Sequence, residues 1–356
     1  MPLSSSSASS FCVDLVGVGS PIMDFLARVP DTFLQHVHGA RGGMELVDAW
    51  EMSRLISRLP EPPAQAPGGS AANTICSAVR LGLGLKVSFI GKLGSDNTAQ
   101  AYREHFRQLG GDDSRFKYAD LANARCLSLI TPDGERTMRT CLSAAITLGP
   151  GEISPADFFR CRHAHVEGYL LFNRALADAV LRSARVAGCT ISIDLASFEV
   201  VNASREWLLD HIRTGVDAVF ANEDEIRALF PDAVPDEGGA PDYRALAVRL
   251  AGLGPVVAAV KMGKHGAWVA RGREVYRIDP CPVARVVDTT GAGDAWAAGF
   301  LSGWLRGWNI ARAGALGSIL GAECVQHLGP DIPDHRWEEI NLEAGRLVSG
   351  LYPGEC

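Results

Sequence analysis

The chain has 356 residues, of which 47% are hydrophobic, 21% are charged and 38 are glycines. This composition is typical of a globular α/β enzyme with a sizeable core, built as one large domain or as two ordinary ones. The formal net charge of -7 at pH 7 and an isoelectric point near 5.7 argue against a nucleic-acid partner or an anionic membrane surface.

The first ten residues are rich in serine and carry no basic cluster, and the apolar run that follows them is interrupted by Asp14. This pattern favours a disordered tail at 1–10 over a signal peptide. No apolar stretch approaches the roughly twenty residues that a membrane-spanning helix requires. We therefore expect a cytoplasmic protein whose folded part spans 11–356.

Nine cysteines are scattered through apolar segments, without a Cys-x-x-Cys pair. Their odd number and their spacing favour reduced thiols over disulfides or a zinc site. His163 and His165 are two residues apart near a predicted strand, and no further cysteine or histidine lies at zinc-ligand spacing. We interpret both histidines as structural residues.

Short apolar runs bounded by turn residues alternate with longer stretches of helical period. This alternation predicts an α/β fold with a mainly parallel sheet and helices on both faces. The predicted strands are 12–18, 87–91, 163–168, 190–195, 216–221 and 256–261. The predicted helices are 71–82, 97–108, 174–187, 204–212, 223–230, 242–252, 292–305 and 309–325.

Two stretches, 20–48 and 119–143, interrupt the alternation. The second alternates polar and apolar residues around an Asp-Gly turn at Thr131 to Gly134, which indicates a hairpin with one face free to cover something. We expect both insertions to form one small β lid. Pro60 to Gly69 contains four prolines and is predicted to be a loop.

The segment Asp288 to Trp296 reads Asp-Thr-Thr-Gly-Ala-Gly-Asp-Ala-Trp and follows the strand-like residues Val283 to Val287. A helical pattern begins at Ala292, so a strand, a glycine turn and a helix follow one another. The helix end presents unpaired N–H groups and a partial positive charge, and Gly291 and Gly293 let the backbone approach a phosphate closely. The segment therefore predicts an anion site.

Asp294 lies in the first turn of that helix, directly after the two glycines. Most acids at such positions do no more than offset the helix dipole. A carboxylate beside a phosphate site is electrostatically unfavourable unless it removes a proton. We therefore predict that Asp294 is the general base for an attacking hydroxyl group.

A second motif, Pro67 to Asn73, reads Pro-Gly-Gly-Ser-Ala-Ala-Asn and precedes a helical pattern. Gly68 and Gly69 fit an ordinary turn into a helix, with Ser70 as the N-cap. Asn73 lies in the first turn, where its amide can instead point out of the helix end toward hydroxyl groups. Taken alone, this motif leaves both interpretations open.

Together the two motifs resemble the signatures of the PfkB or ribokinase family of carbohydrate and nucleoside kinases, and the resemblance extends over about 12–335. It implies a ribokinase-like fold that binds ATP, Mg²⁺ and a small-molecule acceptor, as a monomer or a homodimer. It assigns catalysis to an acid and a backbone anion hole, which are Asp294 and the N–H groups of Gly291, Ala292 and Gly293. It assigns the acceptor to Asp24, Gly69, Ser70, Asn73 and Glu167.

The nucleotide side is implied by the same resemblance. An Asn-x-x-Glu motif, Asn222 and Glu225, organises Mg²⁺ mostly through water, although polar residues at a helix start are often only caps. Lys261 stands at a position where relatives usually have a small residue. Its charge is expected either near ATP or in solvent. The residues assigned to ATP are Asn222, Glu225, Lys261, Gly263, Gly266 and Thr289. Two further residues, Asp288 and Thr290, match part of a monovalent-cation site of the family. K⁺ is therefore a candidate activator.

Other functional classes are disfavoured. The pattern Gly17-Val18-Gly19 lacks the third glycine of a dinucleotide-binding turn, because Ile22 stands there. A P-loop is absent as well, since Gly91-Lys92 is followed by Leu93. A non-catalytic relative would show a damaged base, glycine turn or acceptor motif, and all three are intact.

The acceptor is the open question. Residues 131–138 and 43–47 resemble the lid of bacterial adenosine-kinase-like members, which favours a nucleoside phosphorylated at its 5′ hydroxyl over ribose, fructose or a related sugar. A base needs an apolar slot, whereas a sugar needs more hydrogen-bond partners. The side chains that suit a slot are Phe25, Met44, Met138 and Phe172. Those that suit a sugar are Asp24, Glu167 and Arg136.

Overall fold

The computed structural model describes residues 12–133, 135–233, 239 and 241–349, so the expected tail at 1–10 and Gly134 of the expected hairpin turn lie outside the described residues. The elements are numbered in chain order. The strands are β1 (Val13–Val18), β2 (Ile22–Arg28), β3 (Met44–Leu46), β4 (Ala64–Gly68), β5 (Val87–Ile90), β6 (Lys92–Leu93), β7 (Lys117–Tyr118), β8 (Ala124–Ile130), β9 (Arg136–Cys141), β10 (Cys161–Glu167), β11 (Thr190–Asp194), β12 (Ala218–Asn222), β13 (Val257–Lys261), β14 (Ala267–Arg271) and β15 (Glu274–Ile278). The helices are α1 (Asp31–Leu34), α2 (Ala49–Ser57), α3 (Ser70–Arg80), α4 (Asn97–Gln108), α5 (Ser143–Ile146), α6 (Arg174–Val186), α7 (Phe198–Gly215), α8 (Glu223–Leu229), α9 (Tyr243–Ala251), α10 (Ala292–Leu305), α11 (Ile310–Cys324) and α12 (Trp337–Val348).

An eight-stranded sheet has the order β15-β14-β13-β12-β11-β10-β1-β5, and a separate two-stranded sheet pairs β6 with β7. The strands from β13 to β5 pair in parallel, and β14 and β15 add an antiparallel edge. Alternate residues of β12 enter separate hydrophobic clusters: Phe220 packs with α10, and Val219 packs on the other face with α8. The α/β class with helices on both faces is therefore confirmed.

The six predicted strands and eight predicted helices are all present. The largest shift concerns α7, which begins at Phe198 rather than at residue 204. Ser197 caps the helix by accepting a hydrogen bond from the N–H of Val200, and Ser204 has non-helical dihedrals inside it. This interruption explains why the helical period becomes clear only after Ser204. In the part of the chain that the structure describes, no helix is long and apolar enough to span a membrane.

A second sheet, the lid, has the order β3-β9-β8-β2-β4. Four of its strands come from the two predicted insertions, but β4 lies inside the predicted Pro60 to Gly69 loop, so that prediction is wrong for 64–68. β4 pairs antiparallel with β2 at the edge of the lid. An edge strand tolerates Pro67, because a missing N–H on the solvent side breaks no ladder hydrogen bond.

The prediction of a strand at Val283 to Val287 is also wrong. These residues are mostly exposed and join no sheet. The N–H of Val287 instead donates to the carbonyl of Val325, the residue that follows α11. The segment is thus an extended connection held by a helix end.

The two histidines of β10 lie in the core, next to β11. His163 hydrogen-bonds Thr190 and Ser192, and Ser192 also contacts His165 at 2.8 Å. Burial lowers the pKa of His165 to about 4 and lowers that of His163 as well. Both side chains are therefore neutral groups of the interior.

Helices α10 and α11 pack through two glycines. A Cβ on Gly299 would lie 2.6 Å from the carbonyl oxygen of Leu316, and one on Gly317 would lie 2.8 Å from the carbonyl oxygen of Trp296. Because no larger side chain fits, the helix backbones lie close together. This contact fixes the position of α10, whose first residues form the glycine turn.

We expect Gly299→Ala to lower the free energy of unfolding by about 1–3 kcal/mol, since overpacking outweighs the better helix propensity of alanine. The matched control is Gly345→Ala in α12, where nothing lies within 4 Å of the added Cβ. That variant should be as stable as the original chain or up to about 1 kcal/mol more stable. Urea unfolding of both variants tests this, and equal stabilities would contradict it.

Candidate active site

The glycine turn leads from an exposed connection into α10. Gly291 has φ +78°, and a Cβ there would collide with Pro330, so glycine is required on both grounds. The carbonyl of Thr289 accepts the N–H of Ala292, which closes the turn. The N–H groups of Gly293 and Asp294 lie in the first helical turn, where no earlier helical carbonyl is available to them. The assignment of the N–H groups of Gly291, Ala292 and Gly293 to an anion hole stays a prediction, and the N–H of Ala292 already donates within the turn.

Two helix N-termini meet at Asp294. The hydroxyl of Ser70 donates to one carboxylate oxygen at 2.8 Å, and the amide of Asn73 donates to the other at 2.9 Å. The hydroxyl of Thr74 also donates to the carbonyl of Asp294. Ser70 and Asn73 therefore hold the acid of α10, and their direct contact with an acceptor stays a prediction.

Asp294 is placed to act as a base near neutral pH. Burial raises the pKa of its carboxyl to about 7, and Asp194 raises it further, whereas the hydrogen bonds from Asn73 and Ser70 lower it. A general base is most effective when its pKa lies near the working pH. The arrangement can thus hold an anion at the turn and remove a proton beside it.

On the acceptor side, Asp24 of β2 lies against Gly68, where a Cβ would collide with its carboxylate. Burial raises the pKa of Asp24 to about 7, Arg136 lowers it and Asp294 raises it. Gly69 has φ +103°, and a Cβ on it would collide with the carbonyl oxygen of Ser20. The structure thus brings Asp24 and Gly69 next to the catalytic turn.

Glu167, at the end of β10, holds two backbone segments together. One carboxylate oxygen accepts the N–H of Ser20 at 2.8 Å, and the other accepts the N–H of Ala71 at 3.2 Å. Burial raises its pKa to about 7 in spite of these hydrogen bonds. Glu167 therefore fixes the position of the first turn of α3. Its contact with an acceptor stays a prediction.

Four neighbouring parallel strands end in polar residues. At the carboxyl edge of an α/β sheet, such residues converge on the ligand site. They are Glu167 of β10, Asp194 of β11, Asn222 of β12 and Lys261 of β13.

Asn222 and Glu225 cap α8 reciprocally. The backbone and amide N–H groups of Asn222 donate to Glu225, and the N–H of Glu225 donates back to the Asn222 side chain. Among the described residues, no group of three or more His, Cys, Asp or Glu side chains is arranged to hold a metal ion. This arrangement fits Mg²⁺ only through water, since Mg²⁺ keeps several waters beside substrate phosphates.

The ammonium of Lys261 donates to the Asp194 carboxylate at 2.7 Å, and both side chains are largely buried. A Cβ on Gly293 would lie 3.0 Å from this ammonium, so the charge lies at the glycine turn and not in solvent. Asp194 was missed by the sequence analysis. Its only sequence signal is its place at the end of a predicted strand.

The turn after β13 contains two glycines with positive φ, Gly263 at +48° and Gly266 at +77°. A Cβ on Gly266 would collide with the carbonyl oxygen of Ile278, so this glycine is needed for the turn itself. The predicted contacts of these glycines and of Thr289 with ATP stay predictions.

Arg136 connects the lid to the glycine turn. Its guanidinium pairs with Asp288 at 2.5 Å and donates to the Thr290 hydroxyl. That hydroxyl donates in turn to Asp288, which also accepts the N–H of Gly329. Arg136 is therefore engaged at the turn, and its expected contact with a sugar stays a prediction. The predicted monovalent-cation site at Asp288 and Thr290 stays a prediction that requires Arg136 to move away.

The strand register assigns the lid side chains to two faces. The outer face carries Phe25, which is buried in the same hydrophobic cluster as Met52 and Leu55 of α2. The prediction that Phe25 lines a slot is therefore wrong. The inner face, which carries Asp24 and Arg136, is otherwise mostly apolar. Its other members include Leu26, Met44, Leu46, Cys126, Ser128, Met138 and Thr140. Phe172, expected in the slot, is largely exposed and stacks on Tyr169.

A family model described as pfkB family carbohydrate kinase matches residues 56–336. The chain belongs to the PfkB family. PfkB members are kinases that phosphorylate an alcohol group, and this chain is accordingly a phosphotransferase that uses ATP and a small-molecule acceptor.

Relatives differ in the acceptor that their names give. A solved adenosine kinase from Sinorhizobium meliloti is 30% identical, covers 94% of this chain and 100% of its own, and has a TM-score of 0.79. A solved probable sugar kinase from Rhizobium etli is 31% identical, covers 94% and 99%, and has a TM-score of 0.79. A 2-dehydro-3-deoxygluconokinase from Bacillus subtilis is 30% identical over 73% of this chain and 81% of its own.

We expect Asp294→Asn to lower kcat by about 10²–10⁴-fold, because asparagine keeps the shape of the side chain and one of its two acceptor oxygens but takes up no proton. The readout is ADP release, with Asp242→Asn as the control. Asp242 also accepts a hydrogen bond at a helix start, that of α9, and that variant should keep kcat within about twofold. Retention of kcat within tenfold in Asp294→Asn would rule out the base assignment.

The pKa of about 7 for Asp294 predicts the sign of the pH dependence. Protonated Asp294 cannot accept the acceptor's proton, so kcat/KM should rise with pH through about 7 and level off above it. At pH 5.5 we expect kcat/KM to be about 30-fold below the plateau, since each unit below the pKa removes a further tenfold of the carboxylate form. A profile that is flat from pH 5.5 to 8 would be incompatible with this pKa.

Proposed function

We propose that this PfkB kinase transfers the γ-phosphoryl group of ATP to the 5′ hydroxyl of a ribose moiety, with adenosine as the expected acceptor. Asp294 removes the hydroxyl proton, and the N–H groups of the glycine turn bind the transferring group. Asp24 binds the ribose hydroxyls. Mg²⁺, when bound to the phosphates, offsets their charge.

The observation that carries the nucleoside assignment is the apolar inner face of the lid beside Asp24. On this face Leu26 lies two residues beyond Asp24, Met138 lies two strands across from Leu26, and Met44 pairs with Met138. Met44 is 49% exposed, so this face has apolar area left to cover. A flat purine base gains free energy by covering it, whereas a free sugar would leave it uncovered.

The charges of the acceptor side support the same assignment. Arg136 is engaged with Asp288, and both oxygens of Glu167 accept backbone N–H groups. Of the polar groups expected to serve a sugar, Asp24 has the fewest competing partners. One carboxylate suits a pair of ribose hydroxyls better than the full set of hydroxyls on a hexose.

The substrate assignment is tested with ADP release over a panel of adenosine, other nucleosides, ribose, fructose and 2-dehydro-3-deoxygluconate. We expect kcat/KM for adenosine to exceed that for ribose by at least about 10–200-fold, the range for a single methylene group bound in an apolar pocket. Turnover with sugars and none with nucleosides would replace the nucleoside assignment by that of a sugar kinase. No turnover with any acceptor would favour a non-catalytic role.

The variant Met138→Gln tests whether the apolar face of the lid contacts the base of the acceptor. Its polar amide at the apolar face should raise KM for adenosine about tenfold and leave KM for ribose within twofold. The control is Leu342→Gln, because Leu342 is an exposed residue of α12 and should change neither value. Equal effects of Met138→Gln on both acceptors would mean that this face does not contact the base.

A further inference from the structure

Lys261 is a largely buried lysine whose position is fixed by two elements. Its side chain is 12% exposed, and its ammonium donates to Asp194 at the end of β11. Asp194 is itself held, because its second oxygen accepts the N–H of Ala196. The ammonium is therefore directed by a carboxylate that has little freedom to move.

The ammonium also lies against the glycine turn. Of all atoms outside the neighbouring backbone, the one nearest to an added Cβ on Gly293 is the Lys261 nitrogen, at 3.0 Å. A larger residue at position 293 would push this nitrogen away. Because Gly293 has no side chain, the Lys261 ammonium can lie beside the N–H groups of the predicted anion site.

Lys261 keeps its charge in this position. Burial by itself would lower the pKa of the ammonium, but Asp194, Glu225 and Asp294 raise it above its ordinary value. An ammonium has three N–H donors, and the hydrogen bond to Asp194 uses one. No other hydrogen bond of this ammonium occurs within the described ranges.

We infer that Lys261 is a catalytic residue whose ammonium binds an oxygen of the transferring phosphoryl group. The inference rests on the proposed ATP-dependent transfer at this turn. Asp294 takes the proton of the acceptor hydroxyl, and the hydroxyl oxygen forms a bond to the γ-phosphorus. The bond from that phosphorus to the bridging oxygen breaks, and its electron pair leaves with ADP. Lys261 keeps its proton throughout.

Electrostatic stabilisation is the main contribution that a protein makes to phosphoryl transfer. In the transition state the charge of the transferring group is spread over its three equatorial oxygens, and a fixed ammonium beside the turn stabilises that charge without having to reorient. The turn N–H groups carry only the partial charge of a helix end, roughly half an elementary charge. Lys261 adds a full charge at the same place.

A purely structural role is the alternative. Asp194 pairs with the ammonium, and a buried charge left without its partner is strongly destabilising. Lys261 would then serve only to neutralise Asp194. The two roles are distinguished by replacing Asp194 with a neutral residue in addition to Lys261. If Lys261 only pairs with Asp194, the double replacement restores activity. If Lys261 stabilises the phosphoryl group, activity stays low.

The test uses the full chain with MgATP and adenosine, or with the best sugar if the panel rejects adenosine. Lys261→Met should lower kcat by about 10²–10³-fold, the usual cost of one lost donor to a transition-state charge. The acceptor KM should stay within about threefold, because Lys261 faces the phosphoryl group. Lys261→Arg should recover at least about tenfold of the loss. Lys86→Met removes one charge from an exposed position and should leave kcat within twofold.

The deciding variant is Lys261→Met combined with Asp194→Asn. Thermal unfolding should return toward that of the original chain, since neither buried charge remains unpaired, while kcat stays about 10²–10³-fold low. Recovery of kcat to within threefold would overturn the inference in favour of the structural role. The double variant also serves if the single variant does not fold.

The two possible failures are distinguishable. If the original chain phosphorylates no acceptor in the panel, the proposed function fails and the inference fails with it. If the original chain is active and Lys261→Met matches it, the inference alone fails.

Discussion

The carboxylate of Asp294 joins the two parts of the chain that carry the chemistry. Ser70 and Asn73 at the start of α3 bind it from a position more than two hundred residues earlier in the sequence. Both α3 and α10 direct their N-termini at this point, and a helix N-terminus favours negative charge. The contact therefore holds the acid, the anion turn and the acceptor motif in one geometry, and the packing of α10 on α11 keeps that geometry in place.

Negative charge outweighs positive charge around this contact. Burial raises the pKa values of Asp24, Glu167, Glu225 and Asp294 to about 7. The cations that face them come from Lys261, fixed on the main sheet, and from Arg136, carried by the lid. A site with this balance resists extra anions unless cations accompany them. The arrangement therefore suits a triphosphate that brings Mg²⁺ with it.

The lid is joined to the glycine turn by Arg136. Arg136 reaches Asp288 and Thr290 from the same lid face that carries Asp24 and the apolar side chains. The lid face and the glycine turn are therefore held together by a side chain of the lid.

The fold class, the predicted strands and helices, and the turn at Asp288 to Trp296 followed from the sequence, because each depends on neighbouring residues: apolar period, glycine backbone freedom and a free helix end. The edge strand β4 was missed, because the four prolines of 60–69 indicate a loop and only pairing with β2 makes 64–68 a strand. Phe25 was assigned to the slot because the alternation of polar and apolar residues shows that a strand has two faces. It does not show which of the two faces is covered by α2.

The sequence by itself thus determined the reaction class and the glycine turn that begins α10. Only the tertiary structure decided the partners of those residues: Lys261 with Asp194, Arg136 with Asp288, and Asp294 with Ser70 and Asn73. Each pair is far apart in sequence, and its formation depends on strand order, on lid position and on the reach of long side chains. Local periodicity carries no information on any of these.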